Sequence, residues 1–222
     1  IGFSQMYGNP GDATRYYAKA TAEVGTGEGK VYASDSQTNS PDYGESNTVT
    51  KSGESTQGSA NITFYMYARA EEGSEFTGWS TSNNGDVINS SNTSPYAYSV
   101  NSNVTVESDA PSSTLYAIFR PLPTFYFSAT AVVVPNGAGT ASVSPAVAND
   151  FGEHWNSTSA TTNAITFTAT SGANHVFHGW SKTESGEIES SANSYKPTIT
   201  SNSTNSGSPS NTTLYARFLP YP

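Results

Sequence analysis

Phe76-Thr77-Gly78-Trp79-Ser80 returns further along the chain as Phe177-His178-Gly179-Trp180-Ser181. On either side of it, Leu115-Tyr116-Ala117-Ile118-Phe119 returns as Leu214-Tyr215-Ala216-Arg217-Phe218, and Ala20-Thr21-Ala22 as Ala129-Thr130-Ala131. Ile62-Thr63-Phe64 reads as the partner of Ile165-Thr166-Phe167. Four blocks in one order mark an internal duplication, which sets the unit of folding before any single element is considered. Between the copies lies Arg120-Pro121-Leu122-Pro123-Thr124, whose prolines disfavour helix and stiffen the connection. The chain is therefore expected to form two tandem modules, residues 1–121 with an N-terminal extension over 1–15, and residues 122–222. The extra length of the first copy falls within residues 35–59, a polar stretch that reads as an elaborated loop. The closing Leu219-Pro220-Tyr221-Pro222 reads as another such linker, and an opening at Ile1 as part of a longer protein.

The repeated blocks alternate apolar and polar residues and are rich in β-branched and aromatic side chains, as half-buried strands are. Ile62, Phe64, Met66 and Ala68 are expected on one face, with Thr63, Tyr65, Tyr67 and Arg69 on the other. Ile165, Phe167 and Ala169 repeat the inward set, as do Leu115, Ala117 and Phe119 and later Leu214, Ala216 and Phe218. Gly27 with Gly29, and Gly137 with Gly139, read as hairpin turns, where glycine adopts positive φ without steric cost. No amphipathic helix stands out. The expected fold is mainly β: two antiparallel sheet modules with at most a short helix each.

Composition narrows the chemistry. The 222 residues carry 9 Lys+Arg against 18 Asp+Glu, a net charge of −9, and no cysteine. The acidity is uneven: residues 1–121 hold 6 basic and 13 acidic side chains, and residues 122–222 hold 3 and 5. Scattered basic residues on an acidic chain argue against nucleic acid, whose binding needs clustered Lys or Arg. Without cysteine there is no disulfide, thiolate nucleophile or thiolate zinc site. The 14 Tyr, 10 Phe and 3 Trp supply more aromatic surface than disordered chains carry. No apolar run is long enough to span a bilayer, so this segment is not expected to insert into a membrane.

The order of the blocks, with Phe-x-Gly-Trp-Ser and a closing Leu-Tyr-Ala-x-Phe in each copy, resembles the divergent InlB B-repeat family. That resemblance covers residues 16–121 and 125–220 and rests on the paired Gly-Trp-Ser and Leu-Tyr-Ala motifs. It implies a small β-rich module, β-grasp-like in the better-known relatives, strung in tandem on bacterial surface or secreted proteins. It implies no catalytic residue, and the residues themselves lead us to expect no metal and no cofactor. Stalk, spacer or adhesive roles follow. The alternative, read from the Tyr-, Ser- and Asn-rich composition, is a binding module for a glycan or a host surface protein that works through exposed aromatics.

Several residues invite a sharper reading. Phe76, Gly78, Trp79, Leu115 and Phe119, with Phe177, Gly179, Trp180, Leu214 and Phe218, are the structural motif shared by both copies. Trp79 and Trp180 suit either a sugar-stacking platform or a core anchor, and their glycine and inward phenylalanine neighbours favour the core. Trp155 has no counterpart in the first copy and is the aromatic expected to touch a ligand if any does. His154, His175 and His178 invite a metal, yet Ser74 and Thr77 stand at the first copy's positions. Gly25-Thr26-Gly27-Glu28-Gly29-Lys30 lacks both the first glycine and the hydroxyl residue of a phosphate-binding loop. Glu71, Glu72 and Glu75 lie near Trp79, but the second copy has no carboxylate there to sustain glycoside hydrolysis. No Gly-x-Ser-x-Gly elbow occurs. A non-enzymatic repeat is expected.

Overall fold

The alternation in the sequence produces strands almost everywhere, and the expected mainly-β architecture is what forms. The computed structural model describes residues 11–221, which fall into two compact units, Ile1–Pro121 and Leu122–Pro222. Residues 1–10 of the anticipated N-terminal extension lie outside the described residues, while Thr14 and Arg15 already belong to the first strand. The first unit runs β1 (Thr14–Thr26), β2 (Gly29–Ser34), β3 (Ser46–Ser55), β4 (Ala60–Ala70), β5 (Ser74–Ser80), β6 (Tyr96–Ser102) and β7 (Ser112–Pro121). The second runs β8 (Thr124–Val134), β9 (Gly139–Ser144), β10 (Val147–Phe151), β11 (Ala160–Thr162), β12 (Thr166–Ser171) and β13 (His175–Ser181). It closes with β14 (Ser194–Tyr195), β15 (Ile199–Ser201) and β16 (Ser210–Pro220). A 3-10 turn at Glu107–Asp109 is the one helical element among the described residues. No helix there is long and apolar enough to cross a membrane.

Within the first unit the chain alternates between two sheets, β3-β1-β7-β5 and β2-β4-β6. Ala18, Ala20 and Ala22 of β1, Leu115, Ala117 and Phe119 of β7, and Trp79 of β5 supply one side of a single core. Val31 and Ala33, the five inward residues of β4 (Ala60, Ile62, Phe64, Met66 and Ala68), and Val100 of β6 supply the other. Alanines along β1 leave room for the large facing rings, so volume is filled by alternating small and large side chains. The second unit repeats the plan with β10-β8-β16-β13 facing β14-β12-β9 and the short pair β11-β15. Phe127 takes the place of Ala18, and Thr162 and Ile165 take those of Ile62 and Phe64, so bulk has moved from one face of the core to the other.

Pairing differs from the sequence expectation in two respects. The first and last strands of each unit lie side by side and run parallel, β1 with β7 and β8 with β16, at the centre of an otherwise antiparallel sheet. Numbered within that sheet alone the strand order is 2-1-4-3, and the layer over it is a second sheet. The glycine turns are also not hairpins, because β1 pairs with β3 and β7 while β2 pairs with β4. The glycines instead let the corner close over a ring: a Cβ at Gly29 would run into the Phe119 side chain, and one at Gly139 would meet Phe218.

Register also corrects one block of the repeat. Met66 stands opposite Ala33 and Tyr96, as Phe167 stands opposite Val143 and Tyr195. Ile165-Thr166-Phe167 therefore corresponds to Phe64-Tyr65-Met66, not to Ile62-Thr63-Phe64. Ala60 faces Ser102 and Ala160 faces Ser201, so the second unit has one extra residue before Ile165. That residue breaks the long β4 into β11 and β12.

The Phe-x-Gly-Trp motif is a β-bulge. Phe76 faces Phe119 and Gly78 faces Ile118, which leaves Thr77 as the extra residue, and His178 is its counterpart. The bulge cancels the strand's alternation, so Phe76 and Trp79, three apart, both point into the core. Their rings meet edge-on with centroids 5.7 Å apart, and Phe177 and Trp180 do so at 5.6 Å. Gly78 has φ +145° and Gly179 +153°, and a Cβ at either would strike Val87 or Ile188 of the loop that follows. Gly58, at φ +80°, faces open space. Gly78→Ala is expected to destabilise the first unit by about 3 kcal/mol and Gly58→Ala by about 1 kcal/mol. Urea unfolding followed by near-ultraviolet circular dichroism checks the difference.

Candidate functional site

Most of the residues marked in the sequence are structural. Trp79, Trp180, Leu115 and Leu214 are essentially solvent-free, and Phe119 and Phe218 nearly so. Phe76 and Phe177 pack against the two cores, and Gly78 and Gly179 form the bulges. Trp180 donates its indole N–H to Ala192 O at 3.1 Å. Neither buried indole can serve as a platform.

The acidic group beside Trp79 is engaged in charge pairing. Glu71 and Glu45 both approach Lys30 at 3.7 Å, and the register sets Glu75 opposite Arg120. Arg15 and Glu54 pair across β1 and β3 at 3.0 Å, which holds the Arg15 guanidinium further above its ordinary range, with Tyr17 adding to the effect. The hydrogen bond to Glu189, at 2.7 Å, likewise raises the Lys182 ammonium. These pairs are largely exposed and contribute little to stability. The histidines do not converge either. His175 places Nδ1 3.0 Å from Ala173 O, and no group of three or more potential metal ligands occurs among the described residues.

Trp155 stands apart, with 52% of its surface exposed. It sits in the eight residues, 152–159, that join β10 to β11, where the first unit uses four residues, 56–59, between β3 and β4. The loop is built, not slack. Ser157 N–H donates to His154 O at 2.9 Å, and His154 N–H donates to Ser157 Oγ at 2.8 Å, closing a turn with Trp155 and Asn156 at its tip. Gly152 N–H donates to Pro123 O at 2.9 Å, and the absence of a side chain at Gly152 lets Ser157 fold back against it.

Beneath this turn lies an open groove of about 520 Å³ lined by Phe151, Glu153, Ser157, Thr158, Ser159 and Thr161 together with Ala160. Hydroxyls, one carboxylate and a neighbouring indole are the groups that hydrogen-bond and stack on a polyhydroxylated ring. Glu153 is the one acid lining the groove, whereas glycoside hydrolysis uses a flanking pair. The sequence pointed to Trp155 but not to the groove, because Ser and Thr are too common in this chain to stand out. The signal that could have found it is the longer loop. Comparison with protein-family models, with curated proteins and with solved structures gave no match.

Trp155 is the one tryptophan of the three that solvent reaches, so acrylamide should quench its emission and leave a blue-shifted, protected component from Trp79 and Trp180. Trp155→Phe is expected to abolish the quenchable component without altering near-ultraviolet circular dichroism. Steady-state quenching of both proteins checks it.

Proposed function

We propose that this chain is a non-enzymatic tandem-repeat segment of a bacterial surface or secreted protein, a spacer that holds neighbouring regions apart, as the resemblance to B-repeats implies. The observation that supports the reading most is the parallel pairing of terminal strands. Because β1 and β7 run the same way, the chain enters the first unit at one pole and leaves at the other. β8 and β16 give the second unit the same arrangement. Thr26 lies opposite Ile118 and β7 continues to Pro121, so the strand axis covers roughly 50 Å at about 3.3 Å per residue.

Pulling on the two ends of such a unit loads the hydrogen bonds between its terminal strands together, in shear. The polar, disulfide-free, charge-poor surface suits a segment that works in solvent without chemistry of its own. A single-molecule force experiment on the chain, held at both ends, should show two separate unfolding steps. Each should lengthen the chain by about 30–35 nm, given up to about 3.6 Å per extended residue. Continuous yielding at low force, without discrete steps, would count against a load-bearing spacer.

A second reading is supported by Trp155 and its groove: a glycan-contacting site carried by the second unit alone. Soluble polysaccharides added to the protein should shift the emission of Trp155 saturably, with Trp155→Ala silent. A glycan panel giving no response would remove this reading and leave the spacer untouched.

A further inference from the structure

Fifteen residues, 35–49, connect Ser34 of β2 to Thr50 of β3, while two, Pro145 and Ala146, make the matching connection between Ser144 and Val147. In the first unit this stretch closes one side of the sandwich. Val31 N–H donates to Gly44 O at 2.7 Å, and Gly44 N–H donates back to Val31 O at 2.9 Å. The Asn47 carboxamide lies along Ala33, accepting from its N–H at 2.6 Å and donating to its carbonyl at 2.9 Å. The same stretch serves β1: Val24 N–H donates to Glu45 O at 3.0 Å, and Asn47 stands opposite Ala22. Residues 44–48 thus join the edge of one sheet to the edge of the other, and Ala20, Ala22, Val31 and Ala33 are left with almost no exposure.

The described residues of the second unit leave that side uncovered. β10 pairs with β8 over Thr124 to Ser128, and the last bond on that side runs from Ala129 N–H to Ala146 O at 3.2 Å. Beyond it the ladder's alternation turns the backbone groups of Ala131 and Val133 outward, as those of their counterparts Ala22 and Val24 turn toward β3. β9 is the edge strand of its sheet, and Ala141 and Val143 occupy the places of Val31 and Ala33 with no segment paired beside them among the described residues. Ala129, Ala131, Val133, Ala141 and Val143 pack against the core, yet all are only half-buried. Neither β9 nor residues 129–134 carry a charge, the usual device that keeps an edge from pairing.

We propose that this open side of the second unit is a docking site for an extended polypeptide strand donated by another protein, a case of strand addition. The first unit shows the occupant's chemistry: a strand antiparallel to β8, with a small residue beside Ala141 and an asparagine spanning Val143. This inference does not depend on the spacer reading.

The test uses the 222-residue chain and a synthetic peptide copying residues 42–50. Hydrogen exchange at the amides of Ala131, Val133, Ala141 and Val143 should slow about tenfold or more on adding the peptide, with the first unit unchanged. A peptide with Ala in place of its asparagine should lose most of the effect, a control that leaves the protein unaltered. Ala141→Pro removes an N–H that points away from β12 and should abolish the response while near-ultraviolet circular dichroism is kept. No slowing at millimolar peptide overturns the proposal. Protection of the four amides without peptide also overturns it: if independent of concentration, residues of the same chain cover the side, and if rising with concentration, a second copy does.

Discussion

The burial of one tryptophan per unit beneath a bulged strand is the constraint on which the rest of each sandwich depends. The bulge turns each indole and the phenylalanine three residues before it into the same core. Here β5 and β13 give way by one residue, and the glycine before each tryptophan takes a backbone conformation that other residues adopt only with strain. The loop that follows then packs a branched side chain, Val87 or Ile188, where the glycine has none. That loop also satisfies the exposed edge: Ile88 N–H donates to Trp79 O at 2.8 Å, and Glu189 N–H to Trp180 O at 2.7 Å. Bulge, anchor and edge protection are one device used twice.

The second dependency is the parallel pair at the centre. With the terminal strands adjacent, neither end of a unit is peripheral, and a load applied to the ends is carried by the most central ladder of the sheet. Alanines on the inward face of β1 permit this placement, because the strand faces the bulky β4, with Phe64, across the core without competing for its volume. Small inward side chains and the parallel pairing together make a unit that the chain passes through from pole to pole.

Much of this was legible in the chain itself. The duplicated blocks, the inward faces of β4, β7 and β16, and the buried role of the tryptophans follow from alternation and from the internal control a repeat provides. The partners of each strand did not, because a period of two identifies a strand without saying which strand lies beside it. Gly27 and Gly29 carry a turn signature, yet their work is to admit the ring of Phe119. Ile62-Thr63-Phe64 looked like the match to Ile165-Thr166-Phe167 because identity of letters outweighed a one-residue insertion visible only in the register. Residues 35–49 read as a loop because they are polar, although their last residues are strand and Asn47 replaces a backbone partner.

The absence of cysteine makes the parallel placement of β1 and β7 directly measurable, since two introduced cysteines would be the only labelling sites. Spin labels at Asp12→Cys and Pro121→Cys bracket the first unit. With β1 and β7 parallel, electron–electron resonance should report a single narrow distance of about 45–55 Å, from about 3.3 Å per strand residue. A distance near that of neighbouring strands, about 15 Å or less once label length is included, would mean that the unit's ends meet at one pole and would contradict the account.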